Sequence, residues 1–148
     1  MEWRLALAIF LWQSGKVRVR KILLIDDDPQ LLRLLEKHLQ RLGFAVEAQA
    51  AALAALAQLE KAANEFDLVV TDQNLPDLAA DKLLARIVEI RPELPVLICS
   101  GSEFFISGLP AHLQPHVGFL QKPFPPKELV AAIERLLAGS TQTPPPED

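Results

Sequence analysis

Residues 22–28 read ILLIDDD. Four apolar residues run straight into three adjacent carboxylates, and no lysine or arginine follows until Arg33. With Lys21 in front, the run Lys21–Ile25 is continuous, apolar and bounded by charge. That is the pattern of a strand buried on both faces, as in the middle of a parallel sheet. Like charges at neighbouring positions repel, so the three aspartates at its end need a reason for being together.

The same pattern recurs along the chain. Residues 67–71 (DLVVT) form a second clear buried run, ending at Asp72, and residues 95–99 (PVLIC) a third, ending at Ser100. A fourth is Val117–Gln121 (VGFLQ), followed by Lys122 and Pro123. Residues 44–48 read as a shorter, weaker strand. Helical spacing fills the intervals. Leucines at 31, 34/35, 39 and 42 follow Pro29, and Gly43 stands where a helix stops. Residues 50–63 are alanine-rich, residues 81–90 end against Arg91-Pro92, and residues 126–138 close the fold, with Gly139 beyond. Strands alternating with helices of this length predict an α/β fold, a doubly wound five-stranded parallel sheet. Between Ser100 and Val117, Pro110 and Pro115 interrupt the pattern, so the fourth helix is expected to be irregular.

Composition sets the bounds. The chain has 148 residues, 50% of them hydrophobic, which suits one domain with a real core. Fifteen basic against nineteen acidic residues give a net charge of -4, and the only basic stretch, Lys16 to Lys21, is short. Nucleic-acid binding is therefore not expected. The single cysteine, Cys99, excludes an intrachain disulfide and fits a reducing cytoplasm. It is expected to pack as a small buried hydrophobe. Residues 1–20 form an apolar N-terminal extension whose core is LALAIFLW, residues 5–12. Eight residues fall far short of the about 20 that span a bilayer, so membrane contact is not expected. The stretch reads either as a surface anchor or docking helix, or as an early start codon or the tail of a preceding domain. Residues 139–148 (GSTQTPPPED) read as a disordered, proline-rich tail.

In an open parallel sheet, ligands sit beyond the carboxyl ends of the strands. The polar residues fall at those ends: Asp26 and Asp27, Asp72, Ser100 and Lys122. Asp28, opening a helix, is expected to cap it rather than join the pocket. Asp77 and Asp81 are expected in turn and cap roles. Clustered carboxylates call for a cation, and an all-oxygen set favours a hard ion such as Mg²⁺. Lys122 supplies a point charge suited to a phosphate oxygen, Ser100 a hydroxyl, and one carboxylate a nucleophile for phosphoryl transfer.

The segments ILLIDDDP, DLVVTDQNLPD, PVLICSG and GFLQKPF, in this order, resemble the receiver domain of two-component response regulators over residues 21–138. TDQ, RPELPVLICSG and KPFPPKEL are similar to receivers attached to hybrid sensor kinases. The resemblance implies the flavodoxin-like (βα)5 receiver fold of the CheY-like superfamily. It implies Asp72 as phosphoacceptor, Asp27 as direct Mg²⁺ ligand and Asp26 as its partner through water. It further implies the Asn74 backbone carbonyl in the metal site and Ser100 and Lys122 on the phosphoryl group. Phe119 would be the aromatic switch, and a cis peptide is implied at Pro123. A histidine kinase or histidine phosphotransfer protein would be the donor. No output domain is legible after Ala138, so an unknown output protein is implied, whether the receiver stands alone or belongs to a larger kinase. One departure is clear: Leu78-Ala79-Ala80 stands where the family has a turn ending in glycine. Alanine tolerates positive φ poorly, so this loop is expected to differ in shape.

Two other readings follow from the same residues. A pseudo-receiver would keep the pocket as a phosphorylation-independent protein-binding module. A haloacid-dehalogenase-like phosphatase would use Asp26-Asp27-Asp28 as a D-x-D motif, with its nucleophile on the first strand, and would leave Asp72 without a role.

Overall fold

The computed structural model describes residues 2–13, 19–103 and 106–140. A helix α1 (Glu2–Gln13) precedes β1 (Lys21–Ile25), α2 (Pro29–Arg41), β2 (Ala45–Gln49), α3 (Ala52–Lys61) and β3 (Leu68–Asp72). Then come α4 (Ala80–Ile90), β4 (Val96–Ser100), β5 (Val117–Gln121) and α5 (Pro126–Ser140). The five strands form one sheet in the order β2-β1-β3-β4-β5, and every pairing is parallel. The chain leaves β1 toward one edge and returns past it to β3. The switch point of the winding therefore lies between β1 and β3.

The two-residue alternation of each strand divides the core in two. Leu23 and Ile25 of β1, Val69 of β3, and Val96 and Ile98 of β4 pack beneath α3 and α4. Their neighbours Ile22, Leu24, Leu68, Val70, Leu97 and Cys99 pack beneath α2 and α5. This is why β1, β3 and β4 read as unbroken apolar runs: each supplies both faces. The β2 edge strand is only half-buried throughout, which explains its weaker signal.

Helix α2 shows how local chemistry sets the ends. Asp28 is its N-cap and accepts from the amides of Gln30 (3.0 Å) and Leu31 (3.3 Å), while Pro29 fills the first turn. At the other end Gly43 takes φ 97. Its amide donates to Gln40 O, and that of Phe44 to Leu39 O, in the paired pattern of a Schellman cap. Asp28 is thus committed to the helix, as its position implied.

The segment between β4 and β5 is irregular, as expected, while α5 departs from its expected end. Between β4 and β5 the described residues form only two 3-10 turns, Ile106–Gly108 and Gln114–His116, in place of a fourth crossover helix. Pro110 and Pro115 lack the amides a longer helix needs, and Gln114 Nε2 instead donates to Leu109 O at 2.9 Å. Helix α5 runs on through Gly139 to Ser140, past the boundary expected at Ala138. Glycine ends a helix by turning into positive φ, and Gly139 does not turn. The rest of the tail, residues 141–148, lies outside the described residues, as do residues 14–18 of the extension, including part of its basic run. Within the extension, α1 is helical and Trp3, Leu5, Leu7 and Ile9 are exposed. No helix among the described residues is long and apolar enough to cross a membrane.

Asp77 is a cap, but not of the helix next to it. The N-cap position of α3 is Ala51, whose methyl side chain cannot accept a hydrogen bond. Asp77, in the loop after β3, accepts from the amides of Ala52 (3.1 Å) and Leu53 (2.8 Å). Asp81 lies in the first turn of α4 and does not cap it; the N-cap position is Ala79.

Candidate phosphoacceptor site

The sheet delivers the predicted side chains to one edge. Asp72 and Ser100 are the last residues of β3 and β4, while Asp26 and Lys122 follow β1 and β5 directly. Asp72 pairs in register with Cys99, and the amide of Gln73 donates to Cys99 O at 2.9 Å. The Lys122 amide donates to Ser100 O at 2.8 Å, so the exit from β5 is tied to the end of β4. The Lys122–Pro123 peptide is cis, as the resemblance implies.

Asp26 is buried, at 3% exposure. One carboxylate oxygen accepts the Asp28 amide at 2.9 Å and the other the Lys122 ammonium at 3.0 Å. Lys122 also lies 3.6 Å from Asp72 Oδ2. Asp27 is exposed and Asp72 half-buried, yet ligand oxygens of Asp26, Asp27 and Asp72 fall within 4.8 Å of one another. Among the described residues this is the one such cluster. Lys122 thus bridges two of the three carboxylates. An all-oxygen set of this density fits a hard divalent ion such as Mg²⁺. Asn74 is exposed, beside the cluster, and its amide lies 3.4 Å from Asp72 Oδ1.

Ser100 is fully buried and its Oγ accepts the Ser102 amide at 3.0 Å. Phe119 is half-buried on β5, opposite Ile98, and packs against the core beneath α3 and α4. Burial pulls the Lys122 ammonium down. The Asp26 hydrogen bond and the charges of Asp26 and Asp72 outweigh it, so its pKa lies above the ordinary lysine value. Burial pushes the Cys99 thiol up to about 12, with Lys122 opposing and the carboxylates of Asp72 and Asp26 adding to it.

That thiol gives a direct check on the site's interior. At pH 8 a pKa near 12 leaves roughly one thiolate in ten thousand, and Cys99 is only 4% exposed. Iodoacetamide at pH 8 is expected to leave the native protein unmodified by mass and to add once in denaturant. Adduct formation at equal rates in both conditions would contradict this packing.

The family model for the response regulator receiver domain matches residues 22–134. The chain belongs to the response regulator receiver domain family. The DNA-binding transcriptional regulator NtrC of Rhizobium meliloti is 37% identical over 123 residues, covering 83% of this chain and 25% of the regulator. The sensor kinase CckA of Brucella abortus is 30% identical over 118 residues, 78% of this chain and 12% of the kinase. The chain thus spans a quarter or less of these relatives. Among solved structures, a response regulator receiver protein from Sinorhizobium medicae matches at 29% identity with a TM-score of 0.71, covering 83% of this chain and 98% of that one. The receiver match spans all four motifs and the flavodoxin-like sheet.

Every site residue named from the sequence lies on or beside this edge except Phe119, which lies in the middle of β5, three residues before Lys122. The sequence reading missed the reach of Asp77. A carboxylate following Asn-Leu-Pro gives no hint of a partner 24 residues earlier; the uncapped Ala51 was the available signal.

Proposed function

We propose that this receiver accepts a phosphoryl group on Asp72 in a two-component phosphorelay. The observation that carries the reading is the three-carboxylate cluster with Lys122 bridging Asp26 and Asp72. A phosphohistidine on a histidine kinase or phosphotransfer protein is the donor. A carboxylate oxygen of Asp72 attacks phosphorus in line, the P–N bond breaks, and its electron pair leaves with the imidazole nitrogen. Asp27, Asp72 and the Asn74 carbonyl would hold Mg²⁺, with Asp26 acting through water. The ion, when bound, supplies positive charge against the transferring phosphoryl oxygens. Lys122 presents its ammonium to one of those oxygens and Ser100 its hydroxyl to another. Ser100 moving toward the acyl phosphate vacates space for Phe119 to turn inward, which alters the surface around β4 and β5. Hydrolysis of the acyl phosphate by water resets the state. On this reading the chain is a cytoplasmic signalling domain with self-catalysed transfer, not a turnover enzyme, and it acts on an output partner through protein contacts.

The test is to trap the acyl phosphate with borohydride, which reduces the modified carboxyl to an alcohol, and to map the altered residue. The alcohol is expected at Asp72. Reduction at Asp26 would favour phosphatase-type chemistry on the first strand instead. No reduction, together with no binding of beryllofluoride, would favour a pseudo-receiver.

A further inference from the structure

The loop between Asp72 and α4, residues 73–79, contains no glycine, and side-chain contacts hold its shape. Among the described residues Gly43 alone has positive φ, so residues 73–79 keep ordinary backbone throughout, and Ala79 is extended at φ -68, ψ 152. Several contacts pin the loop, beginning with the Gln73 amide, which donates to Cys99 O at 2.9 Å. Asn74 and Ala79 form an isolated antiparallel bridge that closes it on itself. Leu75 is buried in the same core cluster as Ala52 of α3. Between these anchors, Asp77 spends both carboxylate oxygens on the first two amides of α3. Ala51 supplies no side-chain acceptor to those amides.

We infer that Asp77 is a positioning residue for the phosphoacceptor site, fixing the metal-binding loop to the start of α3. The inference rests on the Mg²⁺ reading proposed above. Asp77 does not touch the reacting groups. It acts through Asn74, three residues away, whose carbonyl is assigned to the metal. Without the Asp77 tie the loop keeps the Gln73–Cys99 hydrogen bond, its own bridge and the packing of Leu75 and Leu78, but loses its link to α3, and loss of an outer support costs a metal site about 10-fold or more in affinity.

The test must separate loop positioning from helix capping, since Asp77 does both. Mg²⁺ binding to the full chain is measured by calorimetry for wild type, Asp77→Ala, Asp77→Asn and the double variant Asp77→Ala with Ala51→Ser. The serine gives α3 a cap of its own without touching the loop. Asp77→Ala is expected to lower the melting temperature and weaken Mg²⁺ binding about 10-fold. Asp77→Asn, with one acceptor oxygen left, falls between. The double variant is expected to recover the melting temperature but not the Mg²⁺ affinity, and amides 74–79 are expected to stay fast in hydrogen exchange. Unchanged affinity in Asp77→Ala, or recovery of affinity together with the melting temperature, overturns the inference: Asp77 would then be a helix cap only. Wild type that binds no Mg²⁺ rejects the metal reading itself, and the inference with it.

Discussion

Lys122→Ala is expected to slow phosphoryl uptake from acetyl phosphate by about 100-fold or more, the scale of removing one preorganised charge from a transferring group. The lysine sits 3.0 Å from Asp26 and 3.6 Å from Asp72, so its ammonium already stands where phosphoryl oxygens would arrive. Its pH behaviour follows from the direction of its shift. The folded pKa is raised, so the pair's contribution is fully present below the unfolded value near 10.4 and is lost as pH rises through the folded one. Between about pH 6 and pH 9 the rate is therefore expected to show no step from Lys122. Lys122→Arg keeps the charge but replaces a compact ammonium with a planar fork, and recovers only part of the rate. Initial rates by intact mass check all three. A rate for Lys122→Ala within twofold of wild type would contradict the assignment.

Phe66→Ala is expected to cost about 3–5 kcal/mol of stability. Phe66 is 1% exposed and is among the largest fully buried side chains, in the cluster beneath α3 and α4. It also organises the sheet's lower edge. Its ring lies under the Lys21 ammonium at 4.9 Å, and its carbonyl accepts the Arg91 guanidinium. A loss of this size is a large share of the about 5–15 kcal/mol that holds a domain folded. Leu34→Ala, at 64% exposure, is the control and should stay within about 0.5 kcal/mol of wild type. Urea denaturation reads both. A Phe66→Ala loss below about 1 kcal/mol would contradict the packing described.

How much of this was legible beforehand depends on the range of the interaction. Residues 22–28 are readable because a central parallel strand is apolar on both faces and its carboxyl end delivers polar side chains to one crevice. The same logic found Asp72, Ser100 and Lys122, each on a strand end. Asp28, Pro29 and Gly43 are readable because caps act within a turn of the chain. The limits lie where a partner is distant or a signal ambiguous. Asp77 reads as a turn or capping residue, but the helix it caps starts 25 residues earlier, beyond the reach of local pattern. The last helix reads as ending at Ala138 before Gly139, yet glycine marks a helix end only when the chain turns there. The Pro110 and Pro115 segment was correctly denied a regular helix, but its two 3-10 turns depend on contacts such as Gln114 to Leu109 that no periodicity encodes.

The acidic edge is proposed to be a Mg²⁺-dependent phosphoacceptor centred on Asp72. Its most direct test is intact-protein mass after incubation with acetyl phosphate, with and without Mg²⁺, for wild type and Asp72→Ala. The account predicts a gain of one phosphoryl group in wild type that requires Mg²⁺ and is absent in the variant. A gain that persists in Asp72→Ala, or that is indifferent to Mg²⁺, would contradict it.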